Sequence, residues 1–205
     1  ILAEHAVTGT GLPTHGTQVL MNIINEVGAL PTRNCQDVQF DGAHDISAEA
    51  MAEVRESDGQ ANLVSNHACF GCPISCARRS KIDPTHFTVK DKPQYQHVSG
   101  GVEDEAAWAL GAANGINDLE ALTYANFVCN EQGLDPISLG STILGLVIAI
   151  PAANCTKWCT LSRAHTPISS RLSSCMMRRY NKPCRKSLDL PAAIARISFT
   201  PTRPR

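Results

Sequence analysis

Acidic residues nearly vanish from this chain after Leu139. Residues 139–205 hold one, Asp189, against 11 Lys and Arg, whereas residues 1–138 hold 18 acids against 7 bases. The formal net charge of −1 therefore averages two unlike halves. Long apolar runs are missing too. The longest, Leu139 to Ile150, stops at Pro151 and is too short for a membrane-spanning helix. No basic segment leading into an apolar one opens the chain, so a secretory signal is not expected. The cytoplasm is the expected compartment, where thiols bind metals or stay reduced more often than they pair. The chain begins with Ile1 rather than Met and reads as a piece of something longer. The tail also lacks interleaved aromatics and a regular basic face, so nucleic acid is not an expected partner. A shifted reading frame accounts well for so abrupt a loss of acids and of periodicity.

What is present before Leu139 reads as a helical protein. Val19, Leu20, Ile23, Ile24 and Val27 recur at helical spacing, with Thr14 or Thr17 to cap the start and Gly28 then Pro31 to stop it. Helices are expected over 19–27, 48–56, 105–112 and 119–132. The second takes Ser47 as N-cap, turns Met51 and Val54 inward and ends near Gly59. The last takes Asn117 with Glu120 as a capping box. It buries Leu119, Leu122, Ala125 and Val128 and meets Gly133 at an αL cap. Residues 80–98 look extended, with Phe87 and Val89 alternating against polar neighbours. Past Leu139, prolines punctuate a Ser/Arg/Cys-rich stretch whose only helical pattern is 188–197. Few apolar faces there offset the roughly 1–2 kcal/mol per residue that backbone ordering costs.

Three of the nine cysteines fall within eight residues, Cys69-Phe-Gly-Cys72-Pro-Ile-Ser-Cys76. Thiols at this spacing reach one soft metal centre only if the chain loops around it. Gly71 lets the backbone come close, and Pro73 fixes a turn after the second thiol. Structural or disulfide cysteines, a zinc site and an iron–sulfur cluster all remain open from these residues. Disulfide frameworks rarely pack thiols so tightly, and a cubane needs a fourth ligand that the motif does not supply. Glu103, Asp104 and Glu105 suit a helix start, where acids favour the N-terminal dipole.

Five blocks in order resemble the C-terminal, all-helical part of the aldehyde ferredoxin oxidoreductases, which are tungsten or molybdenum pterin enzymes. Gly28-Ala-Leu-Pro-Thr-Arg-Asn34 is similar to the family's GALPTRNF, with Cys35 in place of Phe. The cysteine block is similar to its cluster loop. Gly101-Val-Glu-Asp-Glu105 resembles GPEYE. The stretch from Trp108 through Asn114 to Asp118 resembles WALGxNxGIxD. Asn126 through Ser138 resembles AN..CN..GLDTIS. The likeness covers residues 8–143.

The resemblance implies a mostly α fold: a helical, cluster- and pterin-binding fragment over 1–143, followed by an irregular basic tail over 144–205. It implies that Cys69, Cys72 and Cys76 are three ligands of a 4Fe–4S cluster whose fourth ligand has no recognisable counterpart here. Glu105 falls on the family's acid beside the metal, a general acid/base, with Asp104 where the family has Tyr. Asn130, Gly133, Leu134 and Asp135 fall on one of two pterin-binding motifs, Asn130 replacing its first Asp. The implied function is oxidation of aldehydes to carboxylic acids at a tungsten or molybdenum bis-pterin. Electrons would leave through the cluster to a ferredoxin-like carrier, and the full-length parent would be a homodimer. Two rivals stand beside this: an inactive truncated or frame-shifted remnant, and a small Cys-rich zinc or redox module.

Overall fold

The computed structural model describes residues 4–149. These residues contain six α-helices: α1 (Leu12–His15), α2 (Leu20–Glu26), α3 (Ala48–Ala52), α4 (Asp104–Leu110), α5 (Leu119–Gln132) and α6 (Pro136–Ala149). An antiparallel sheet of β1 (Leu63–His67), β2 (Ala77–Ser80) and β3 (Ser99–Gly100) is set among them in that order. The mostly α fold is the expected one, and no strand replaces any of the four predicted helices. Among the described residues no helix is long and apolar enough to cross a membrane.

The core is organised around α5. Residues 121–129 are buried without a break, so this helix is enclosed on every side rather than showing the single predicted stripe. Leu122 and Tyr124 are fully buried, as are Ile46, Met51, Ile82, Val102 and Ile116 around them. Burial of each such side chain stabilises the fold by about 1.5–3 kcal/mol relative to exposure. Helix α5 spans the expected residues, but its N-cap falls one residue later than expected. Asp118 is the N-cap and accepts from the Ala121 amide at 3.0 Å. Asn117 instead donates to Asp45 at 2.7 Å. Glu120 is drawn away from any capping box: it accepts from Arg55 at 2.9 Å, Asn62 at 3.2 Å and the Asp83 amide at 2.8 Å. The helix ends as predicted, with Gly133 in the left-handed region at φ 66°.

Helix α6 was not among the predicted helices, and it carries regular structure past residue 143. Its start signal is nonetheless plain: Asp135 accepts from the Ser138 amide at 2.7 Å, and Pro136 occupies the first helical position. A Cβ on Gly140 would lie 2.5 Å from the Ala109 carbonyl oxygen, so α6 and α4 meet backbone to backbone. The remainder of the predicted irregular tail, with its expected helix over 188–197 and its four cysteines, lies outside the described residues.

Three local expectations fail for identifiable reasons. Helix α3 has its predicted cap, Ser47, but ends at Ala52; Val54 is 69% exposed and bridges Ala61 in a short antiparallel turn. Arg55 explains the early stop, since its guanidinium pairs with Asp58 and Glu120. Residues 81–98 form turns and a 3₁₀ segment at Pro93–Tyr95 rather than a strand, with Thr88 and Val89 buried in succession. In α2 the buried side chains are Met21 and, just before it, Gln18, which donates to the Ile46 carbonyl at 3.0 Å. Leu20, Ile23 and Val27 face outward.

One side chain ties the sheet to the core helix. Asn126 is 4% exposed and donates to the carbonyls of Gly100 at 3.2 Å and Gly101 at 3.1 Å. Replacing Asn126 with Ala strips a buried donor from two carbonyls. The expected cost is about 1–3 kcal/mol, read as a lower midpoint of denaturant unfolding. An unchanged midpoint would show that the carbonyls find other donors.

Candidate functional site

The cysteine block is the connection between β1 and β2, closed by the His67–Ala77 pair. A hairpin was not expected around the thiols. The Cys72 amide donates to the Cys69 carbonyl at 3.0 Å, making one tight turn. Gly71 at φ 71° and Ser75 at φ 57° bend the loop. Cys69 is exposed, Cys72 and Cys76 are half-buried, and all three are free thiols, so no disulfide ties them. The sulfurs were expected to converge on one point. They do not: among the described residues no three His, Cys, Asp or Glu side chains gather as a ready metal site. One turn bond is all that shapes the loop internally, and nothing in it draws three sulfurs inward. The donor set still fits a thiophilic centre, since three soft, free, reachable thiols occupy one short bent loop.

Two residues past Cys76, Arg78 turns into the core. It is 3% exposed. Its Nη1 donates to the Thr14 carbonyl at 2.9 Å and to the Asn66 side chain. Its Nε and Nη2 have no partner. Burial disfavours its charge, while the Glu103 carboxylate and Cys76 favour it. A Cβ at Gly16 would lie 2.4 Å from Arg78 Nε and 2.8 Å from the Cys76 carbonyl oxygen. Glycine there, at φ 61°, lets the chain close over both.

The acids follow directly from the sheet. β3 pairs with β2 and leads through Val102 to Glu103, the N-cap position of α4, whose own side chain makes no cap bond. Thr17 donates to Glu103 at 2.6 Å and accepts from the Asp104 amide at 3.2 Å. Thr17 thus caps α4 and not, as predicted, the helix that follows it in sequence. Glu105, the expected acid/base, is exposed. The carboxyl held above its ordinary range is that of Asp104, raised first by burial and then by the Glu105 and Glu103 charges. Both acids border a hollow of about 190 Å³ whose other walls include Met21, Leu30, Pro31 and Trp108. Trp108 is fixed there by donating to the Pro31 carbonyl at 2.7 Å. An apolar hollow with two carboxyls at one edge suits a small, mostly apolar molecule and proton exchange with it.

Asn130, Gly133, Leu134 and Asp135 occupy the junction of α5 and α6, and all four are exposed. The Leu134 amide closes α5 on the Cys129 carbonyl at 2.8 Å. Asp135 caps α6, and the Ser138 bonds hold its carboxyl below the ordinary range. Burial, and secondarily the Asp135 charge, pushes the Cys129 thiol up to about 11, so it stays neutral. A Cβ at Gly133 would meet nothing within 4 Å, leaving open space over the junction. An ionised acid and an amide beside open space fit a ligand rich in N–H donors, as a pterin ring is.

Sequence reasoning missed Arg78 and Asn126, and it offered Thr17 as a cap for a different helix. The signal for Arg78 was its strand position: of adjacent Arg78 and Arg79, alternation sends one side chain inward.

One framework thus carries a thiol hairpin, an acid-headed helix and an exposed helix junction. Residues 1–149 match the family described as aldehyde ferredoxin oxidoreductase, domains 2 and 3, and the chain belongs to that family. It is 44% identical over 142 residues to the tungsten-containing aldehyde ferredoxin oxidoreductase of Thermococcus kodakarensis. For the proteins of the same name from Pyrococcus abyssi and Pyrococcus horikoshii the identities are 43% and 44%. Each alignment covers 69% of this chain and 20% of the relative, so the chain spans about a fifth of the length of these relatives.

The raised Asp104 carboxyl has a pH signature. With a folded pKa above the unfolded one, the native state binds the extra proton between the two values, so stability falls as pH rises from about 3.8 through the folded pKa. Asp104→Asn removes that contribution. The variant should therefore gain stability relative to the wild type as pH rises through this window, in paired denaturant titrations. Parallel wild-type and variant curves would assign the shift elsewhere.

Proposed function

We propose that this chain is the cluster- and pterin-holding segment of an aldehyde-oxidising, ferredoxin-linked oxidoreductase. The observation that carries the reading is the family match running through the thiol hairpin, the α4 acids and the α5–α6 junction in one folded unit. Bound here, a tungsten or molybdenum pterin would supply two-electron aldehyde oxidation, and a 4Fe–4S cluster would supply electron exit one at a time. The relatives named above are tungsten proteins, which favours tungsten over molybdenum.

The chain's own residues have separable tasks. Cys69, Cys72 and Cys76 provide thiolates to the cluster. Asp135 and the carbonyls of Gly133 and Leu134 accept hydrogen bonds from the pterin, and the Asn130 side-chain amide donates one to it. The hollow beside Trp108 and Leu30 admits an aldehyde's apolar part and excludes water from it. Glu105, exposed at the head of α4, takes up and releases the protons that oxidation to a carboxylic acid liberates. Asp104, whose carboxyl is raised above its ordinary range first by burial and then by the Glu105 charge, adjoins it in sequence and can relay them. A soluble ferredoxin-like carrier is the electron acceptor, and a homodimer is the assembly of the full-length parent.

A second reading is favoured by one fact: the chain spans a fifth of its relatives and carries one recognisable pterin motif. Held by a single motif, a bis-pterin must be immobilised at full entropic cost by part of its contacts. The 205-residue chain alone is therefore expected to be inactive.

The test is a chimera in which the matching 142 residues of the Thermococcus kodakarensis relative are replaced by those of this chain. Made anaerobically in a host that supplies the cofactor, it should reduce benzyl viologen with a simple aldehyde. Glu105→Gln should lower that rate by about 10²–10⁴-fold. A chimera loaded with cofactor yet inactive, or indifferent to Glu105→Gln, would defeat the assignment. Turnover by the 205-residue chain alone would defeat the second reading.

A further inference from the structure

Arg78 is a buried cation with part of its hydrogen-bonding capacity unused. A guanidinium keeps its proton under all ordinary conditions, so burial cannot be relieved by neutralisation. Such a charge is retained in a protein interior when an anion offsets it. Among the described residues Arg78 forms no ion pair, and only Nη1 has hydrogen-bond acceptors. Glu103 favours the charge from beyond ion-pair distance, and the Glu103 carboxylate is itself engaged by Thr17.

The surroundings are built to keep the side chain where it is. The Gly101 amide donates to the Arg78 carbonyl at 2.8 Å, and a Cβ at Gly101 would lie 2.7 Å from Arg78 Cβ. Gly16 presses on the other side, close to both Arg78 Nε and the Cys76 carbonyl. Two glycines therefore clamp a cation against the base of the thiol loop. The unpartnered Nε and Nη2 are the donors left for whatever negative charge arrives there.

We propose that Arg78 is the built-in countercharge of the thiol loop, a positioning residue that raises the reduction potential of an iron–sulfur cluster held by Cys69, Cys72 and Cys76. The inference rests on the cluster assignment under Proposed function. The physics is simple. Thiolates and a cluster bring net negative charge, reduction adds one more, and a nearby fixed cation stabilises the reduced form more than the oxidised one. Cys76 of the loop and Glu103 at the head of α4 both favour this one charge.

The test uses the 205-residue chain, reconstituted anaerobically with iron and sulfide and titrated with dithionite while the reduced cluster's EPR signal is followed. Arg78→Met should lower the reduction equilibrium constant about tenfold, which for a one-electron couple is about 59 mV. Arg78→Lys, which keeps the charge and loses the planar fork, should stay within about twofold of the wild type. Far-UV circular dichroism checks that each variant is folded, and the Lys variant carries the charge comparison if Met is not. With Met unfolded, a Lys variant tenfold below the wild type would overturn the proposal, because charge would not then set the potential. A wild-type chain that takes up no cluster removes the cluster assignment and this inference together. A cluster whose potential is unmoved by Arg78→Met overturns this inference alone.

Discussion

The carboxamide of Asn126 is the bond on which the arrangement turns. It lies on the most enclosed helix among the described residues and holds two successive carbonyls, those of Gly100 and Gly101. Those carbonyls belong to the strand that pairs with β2 and to the residue after it, and the chain then enters α4. Sheet, acid-headed helix and core helix are thus referred to one buried amide. A backbone carbonyl in such a place must find a donor, and a side chain that supplies two bonds at once also fixes direction. The thiol loop inherits its position from this, because β2 leads out of it and is held by β3. The junction carrying Asp135 inherits its position from the other end of the same helix.

The polar groups divide by whether they are already satisfied. Glu120 accepts from Arg55, Asn62 and Asp83, and Arg55 also grips Asp58, so these charges are accounted for by each other. They shape the turn after α3 and the approach to α5, and their charges are spent on one another. Tyr124 and Lys92 likewise engage each other, with Lys92 donating at 2.8 Å. Arg78 differs, since two of its nitrogens are buried and without acceptors beside the one loop that gathers thiols. Asp104 differs too, as its carboxyl is held toward the neutral form at the rim of an apolar hollow.

Much of this was legible in the sequence where local chemistry decides the outcome. Ser47 caps α3, Gly133 ends α5 in the left-handed region, and α5 covers the predicted residues, because caps and stops act over a few residues. Tertiary forces decided the rest. Val54 is exposed because Arg55 is pulled toward Glu120, which is 65 residues away in sequence. Thr17 caps α4 from 87 residues upstream, a relation that periodicity cannot show. The hairpin around the cysteines has little alternation to reveal it, since β1 is largely exposed and β2 has four residues. Helix α6 is so evenly apolar that no face stands out, although Asp135-Pro136 announces its start. At the site, residue types marked the thiols, the acids and the junction as candidates, while which acid is half-buried, Asp104 rather than Glu105, depends on packing.

The central claim is that Cys69, Cys72 and Cys76 hold an iron–sulfur cluster. The most direct measurement counts iron and acid-labile sulfide in the anaerobically reconstituted chain, wild type beside Cys72→Ser. The account predicts matched iron and sulfide in the wild type, a broad visible absorption that goes with them, and loss of most of both in the variant. Equal iron in wild type and variant, or a chain that binds zinc and no iron, would contradict it.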